Sequence, residues 1–146
     1  FTLGSLFFVI GFGYTSAAIC KMVGTGLHWF DGAHLQLWIG ERTIDTISKF
    51  GFIQYNWLQE MLMQEKWLAS ITLLFGLAAE FFGFLLWFRS TRYFMIPILI
   101  GMHLGIYWSM NILFDMFIYQ LLVMMIPYEW DRLNELPLFH RKETTA

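Results

Sequence analysis

Residues 67–88 read WLASITLLFGLAAEFFGFLLWF, an apolar run of 22 residues in which Glu80 carries the only charge. A helix needs about 20 such residues to cross a bilayer, so this run predicts a membrane span. It is followed by the turn Arg89-Ser90-Thr91-Arg92. A short basic loop without an acid favours the cytoplasmic side of the membrane, so residues 23–66 are expected on the opposite face.

The composition indicates the same class of protein. Of the 146 residues, 58% are hydrophobic, 20% are aromatic and only 14% are charged, whereas a soluble domain has about 25% charged residues. The net charge of −2 gives no support for a nucleic-acid partner, and Cys20 has no second cysteine to pair with. We therefore predict an all-α, polytopic integral membrane bundle with three or four membrane helices plus interfacial helices, in contact with membrane lipids.

One membrane helical domain is expected over residues 1–127, followed by a polar tail over 128–146. The chain opens at Phe1 inside an apolar run, without the pattern of a signal peptide. This domain is therefore interpreted as the C-terminal part of a larger one. Residues 1–22 form its first predicted span, and Gly- and Trp-rich residues 23–66 predict short amphipathic helices at the interface, with a soluble lid as the alternative.

The apolar stretch over residues 93–127 is too long for one straight span. Its 35 residues would make a helix of about 52 Å, whereas the hydrocarbon core is about 30 Å thick. A break or sharp bend is therefore predicted near Tyr107–Asn111, and Pro127 is expected to end the last helix. Non-helical backbone at membrane depth is tolerated where it lines a cavity, which favours a pocket at the break.

Four ionisable residues lie inside or at the rim of these apolar segments: Lys21, Glu80, His103 and Asp115. A charge at the centre of a bilayer costs at least about 2.5–3.5 kcal/mol, so each of them predicts a polar site inside the bundle. Simpler interpretations exist. Lys21 could extend to the headgroups and Glu80 could be a structural ion pair. His103 could be a packing residue, or could bind a quinone carbonyl, a haem or a chlorophyll magnesium.

We predict that Glu80 and His103 face the interior on neighbouring helices, with Lys21 on the same side of the bundle. Asn111 and Asp115, spaced i and i+4, would form a polar pair on one helical face, either joining helices or lining the pocket. Helical spacing places further residues on the same faces, namely Gly76, Gly83 and Trp87 beside Glu80, and Leu99 and Tyr107 beside His103.

Residues 17–35, AAICKMVGTGLHWFDGAHL, resemble a segment of the vitamin K-dependent gamma-carboxylases and of their bacterial HTTM (horizontally transferred transmembrane) relatives. Lys21-Met22 takes the place of a Lys-Leu pair, and residues 29–32 take the place of a Trp-hydrophobe-acid-Gly motif. Two later segments are similar to the family in order and spacing. They are the acidic helix that begins EFFGFLLWFR at Glu80, and the His103 helix with the SMNILFDMF run after it.

The resemblance implies a bacterial cytoplasmic membrane protein with a pocket for a quinone or another lipid. It implies Lys21 as the base acting on a quinol, with His103 and Glu80 as catalytic partners. The large lumenal domain of the carboxylases has no counterpart here, so full glutamate carboxylation is not expected. No metal site is expected. The residues predicted to line the cofactor site are Trp29, His103, Tyr107, Asn111 and Asp115.

The alternative function is a non-catalytic accessory subunit of a larger respiratory or photosynthetic membrane complex. Its aromatic surface would then pack on other membrane subunits, lipids or pigments. The sequence leaves open which of these the chain is, and so whether it is an enzyme. A quinone bound beside Lys21 would favour the first function, whereas broad contact of the aromatic faces with other chains would favour the second.

Overall fold

A computed structural model describes residues 3–53 and 55–134, and this part of the chain is an all-α helical bundle without strands. The helices are α1 (Leu3–Thr25), α2 (Gly32–Phe50), α3 (Trp57–Gln64), α4 (Lys66–Phe81), α5 (Arg92–Met110) and α6 (Asp115–Asn134). Two 3-10 turns, Gly26–Phe30 and Phe82–Trp87, extend α1 and α4.

Within the described residues, three segments are long and apolar enough to cross a membrane: Gly4–Phe30, Lys66–Trp87 and Arg92–Met110. These are the spans that the sequence predicts. The first helix continues to Thr25, so Lys21 lies within it and not at its end. The cores of the three spans pack on one another and on α6 through residues such as Leu86, Leu99 and Leu121.

The 3-10 turn at the end of α4 is fixed by close contact with α1. A Cβ atom added at Gly11 would lie 2.6 Å from the carbonyl oxygen of Gly83, so the two backbones touch. The Thr15 hydroxyl accepts a hydrogen bond from the Phe84 N–H at 2.9 Å and lies 3.1 Å from the Phe81 carbonyl oxygen. The Thr15 hydroxyl thus satisfies backbone groups that lose their α-helical hydrogen bonds where α4 changes into the 3-10 turn.

Residues 23–66 differ from the predicted set of short helices. Gly24 and Gly40 do not interrupt the chain, because they lie inside α1 and α2 respectively. Helix α2 runs for 19 residues until Gly51, whose φ of 76° provides a left-handed C-cap. One face of α2 buries Leu35 and Ile39 against α3 and α4. This burial outweighs the roughly 1 kcal/mol that an internal glycine costs a helix.

The predicted break in the 93–127 stretch is confirmed. Helix α5 ends at Met110, Asn111 is left-handed with φ 54° and ψ 35°, and α6 begins at Asp115. Asparagine is among the few non-glycine residues that adopt this conformation readily. The predicted helical i, i+4 pair of Asn111 and Asp115 is therefore wrong, because the residues between them are not helical.

The predicted helix end at Pro127 is also wrong, because α6 continues to Asn134. Proline removes one backbone donor, and a membrane helix can tolerate this loss when other groups satisfy the freed carbonyl. Residues 128–134 of the predicted polar tail are thus helical, and residues 135–146 lie outside the described part of the chain.

The N-cap of α2 gives the fold a pH dependence. Asp31 accepts a hydrogen bond from the Ala33 N–H and contacts the Lys66 ammonium at 2.7 Å. The hydrogen bond from Lys66, followed by that from Ala33, lowers the pKa of Asp31. A carboxyl with a lowered folded-state pKa stabilises the fold above its unfolded pKa of about 3.9. That stabilisation is lost as the pH falls through the folded-state pKa.

We therefore expect Asp31→Asn, which keeps an N-capping side chain, to lower the Tm at pH 7. The Tm difference from the wild-type protein should close as the pH falls below 3.9 and through the folded-state pKa of Asp31. Thermal unfolding of both proteins in one detergent across this range measures it. A difference that is equally large at acid pH would contradict a role for the Asp31 charge.

Candidate functional site: an apolar cavity with a Lys21–Glu80 pair in its wall

A cavity of about 270 Å³ lies between α1, α2, α4 and α5, and Ile112 and Phe114 of the 111–114 linker also line it. Most of its lining is aliphatic or aromatic. Phe75 and Gly101 belong to the lining and are also exposed on the outer face of the bundle. The cavity therefore opens laterally between α4 and α5, the direction from which a membrane-dissolved molecule would enter.

One ion pair forms the charged part of this lining. The Lys21 ammonium lies 2.5 Å from each carboxylate oxygen of Glu80, and both residues line the cavity. The side chain of Glu80 is 12% exposed and that of Lys21 is 30% exposed. The predicted inward position of Glu80 is confirmed, and the Lys21 ammonium is bound to it.

Tryptophan side chains complete the wall beside the ion pair. The Lys21 ammonium lies 5.2 Å from the centre of the Trp29 ring, a distance at which a cation is attracted to the ring face. Trp29 packs on Trp38 with ring centres 5.1 Å apart, and both rings line the cavity. An ammonium carries three N–H donors, so Lys21 can hold Glu80 and still donate to a molecule in the cavity.

The residues after Trp29 hold it in place. Asp31 caps α2 as described above, and the N–H of Gly32 donates to the Ser70 hydroxyl at 2.8 Å. A Cβ atom at Gly32 would lie 2.1 Å from the carbonyl oxygen of Lys66, so only glycine fits. Residues of the Trp-Phe-Asp-Gly segment therefore have different roles. Trp29 lines the cavity, while Asp31 and Gly32 hold the segment against α4.

Three glycines keep the cavity open. Gly76 of α4 and Gly101 and Gly105 of α5 line it, and a Cβ atom added at any of them would meet nothing within 4 Å. Glycine is not required at these positions by a close backbone contact, and none of the three residues has a positive φ angle. Glycine destabilises a helix interior by about 0.5–1 kcal/mol relative to alanine. What these residues provide is space.

His103 lies inside the bundle, as predicted, but it does not line the cavity. Its Nε2 atom is 2.8 Å from the Tyr14 hydroxyl, and its ring stacks on Phe117. Only 5% of the residue is exposed, and Nδ1 has no hydrogen-bond partner among the described residues. A buried polar atom without a partner costs about 1–3 kcal/mol. His103 therefore belongs to a neighbouring polar contact between α1 and α5.

The other predicted lining residues are not at the cavity. Tyr107 is exposed on α5, and Asp115 is exposed at the start of α6, where its carboxylate accepts the Met116 N–H. Asn111 lines a different, polar cavity. The prediction placed Asn111 and Asp115 on one helical face, whereas the chain turns at Asn111. Gly83 and Trp87, expected beside Glu80, also face α1, where they contact Gly11 and Phe8 respectively, but they do not line the cavity.

Sequence reasoning missed Tyr14 and Trp38 as parts of these sites. Tyr14 was recognisable in principle, because a phenol in the middle of an apolar helix needs a hydrogen-bond partner. Its partner is 89 residues away, and no local pattern reveals that pairing. Trp38 gave no such signal, since tryptophan is equally common at the membrane interface.

Comparison of the chain with protein-family models, with curated proteins and with solved structures gives no match.

Proposed function

We propose that this chain is a multi-pass module of the HTTM type in a bacterial cytoplasmic membrane, and that its cavity binds the ring of a lipophilic quinone or quinol. The observation that carries the proposal is the Lys21–Glu80 pair in the wall of an otherwise apolar, laterally open cavity. A purely structural ion pair has no need of the open space beside it, which the glycines of α4 and α5 maintain.

Size and chemistry favour a ring headgroup. The volume of about 270 Å³ lies just below the range of about 300–1,000 Å³ that is usual for ligand pockets. It suits a fused bicyclic ring, with the isoprenoid tail leaving between α4 and α5 past Phe75. Trp29 and Trp38 offer ring faces for stacking, and Lys21 offers a charged donor to a carbonyl or hydroxyl oxygen.

If the module is catalytic, the ion pair supplies the base. In the proposed step the quinol O–H bond breaks and its proton passes to the Lys21–Glu80 pair, whose polar atoms lie 2.5 Å apart. The product is a quinolate oxygen facing the Lys21 ammonium, with the displaced proton held on Glu80. Lys21 is thus the base and Glu80 its proton store.

A titration with a short-chain naphthoquinone and its reduced quinol tests this proposal. Calorimetry on the detergent-solubilised chain is expected to show saturable binding of both. Lys21→Ala removes a charged hydrogen bond worth about 1.5–3 kcal/mol, so it should weaken quinol binding about 10- to 100-fold while the protein stays folded. Lys49→Ala, an exposed lysine of α2 remote from the cavity lining, is the matched control and should bind normally.

The accessory-subunit alternative predicts a different outcome. In that case neither molecule binds saturably, and Lys21→Ala and Lys49→Ala behave alike. Absence of binding to the folded wild-type protein would therefore count against the quinone site and in favour of a subunit that packs through its exposed aromatic faces.

A further inference from the structure

A second cavity, of about 230 Å³, lies at the end of the bundle where α5 terminates. Its walls come from α2 between Ile39 and Thr46, from the first turn of α3, and from Ile53, Tyr55, Asn56 and Asn111. Unlike the first cavity it is lined mainly by polar side chains. The 111–114 linker separates the two, because Asn111 lines the polar cavity while Ile112 and Phe114 line the apolar one.

Several polar groups around this cavity are already engaged. The hydroxyls of Thr43 and Thr46 donate to carbonyl oxygens one turn earlier in α2. The side-chain amides of Asn56 and Gln59 donate to the carbonyl oxygens of Trp108 and Ser109. These four residues build the wall, and the last two also tie α3 to the end of α5.

Three other residues with hydrogen-bond donors line the same cavity, namely Arg42, Tyr55 and Asn111. Arg42 carries five N–H donors, and its one ion pair among the described residues is a long contact of 3.4 Å with Asp45. Asp45 is held more closely by Lys49, at 3.0 Å. Two cations therefore share one carboxylate, and this group of three carries a net positive charge.

We propose that this polar cavity binds a phosphate group. Arg42 is the one charged residue of its lining, and a guanidinium matches phosphate oxygens through paired N–H donors. The tetrahedral anion presents further oxygens to Tyr55 and Asn111. The site lies beside the exposed indoles of Trp57 and Trp108, the residue type that marks the headgroup level of a bilayer. Both a phospholipid headgroup and free phosphate have the required chemistry.

Titrations of the purified chain with matched probes test the proposal. A short-chain phosphatidic acid is compared with the diacylglycerol that carries the same chains but no phosphate, and inorganic phosphate is compared with chloride at equal ionic strength. We expect phosphatidic acid or inorganic phosphate to bind saturably. The matched probe without phosphate, diacylglycerol or chloride respectively, should bind at least tenfold more weakly. Tighter binding of phosphatidic acid assigns the site to a lipid, and equal binding of inorganic phosphate assigns it to a soluble anion.

Variants separate the site from general electrostatic attraction. Arg42→Gln and Asn111→Asp should each weaken binding at least tenfold, the second because it places a negative charge in the cavity while tolerating the left-handed backbone. Lys66→Gln removes a charge of the same sign from an exposed position outside the cavity and should bind normally. No saturable binding, or equal losses for Arg42→Gln and Lys66→Gln, would overturn the proposal.

Discussion

Glu80→Ala is expected to lower the free energy of unfolding by about 3 kcal/mol, because it leaves the Lys21 ammonium without its partner inside the bundle. Lys21→Ala should also destabilise the protein, because it leaves the Glu80 carboxylate without its cation inside the bundle. The two residues are joined at 2.5 Å, so their effects should not be additive. Chemical denaturation of the wild-type protein and both single variants in one detergent measures these effects.

The double variant Lys21→Met/Glu80→Leu is the control for this prediction. Replacing a buried ion pair by apolar side chains of similar volume is often neutral or stabilising, so the double variant should be more stable than Glu80→Ala. It should nevertheless bind no quinol, which separates the structural role of the pair from its proposed function. A Glu80→Ala protein within about 0.5 kcal/mol of the wild type would contradict a buried, coupled pair.

Gly11→Ala is expected to destabilise the protein by about 1–3 kcal/mol, the usual range for an overpacked core site. The added methyl group would lie 2.6 Å from the Gly83 carbonyl oxygen, a backbone atom that cannot rotate away. Separating α1 from the Phe82–Trp87 turn would also strain the hydrogen bonds of Thr15. Thermal unfolding provides the measurement.

Gly13→Ala is the matched control, two residues along the same helix. A Cβ atom there meets nothing within 4 Å, and alanine favours the helix, so stability should be unchanged or higher by up to about 1 kcal/mol. Equal destabilisation by the two substitutions would show that the helix backbone, and not the contact with Gly83, requires the glycine.

The features that the sequence predicts are those set by energetic cost or by length. Glu80 is too short to reach water from the middle of a span, so an inward position followed from its charge alone. The break near Asn111 followed from comparing 35 apolar residues with the thickness of a bilayer. Both arguments are local, and the structure bears both out.

The features that the sequence does not predict depend on distant partners. The tightened winding after Phe81 is fixed by Thr15, 66 residues earlier, and His103 turns towards Tyr14 instead of the cavity. The position of Asn111 in a separate cavity follows from the direction in which the chain turns at the break. Helical periodicity carries no information about that direction, so Tyr107, Asn111 and Asp115 were wrongly grouped.

The central claim is that the apolar cavity is where a quinone ring binds, and filling it tests this most directly. Gly105→Leu places a side chain into the cavity at a position with no neighbour within 4 Å, and Gly13→Leu adds the same group on the outer face of α1. Mass spectrometry then quantifies the quinones and lipids that co-purify with each folded variant. We predict a quinone retained by the wild-type protein and by Gly13→Leu and lost from Gly105→Leu. Equal quinone content in all three would contradict the claim, and so would its absence from the wild type.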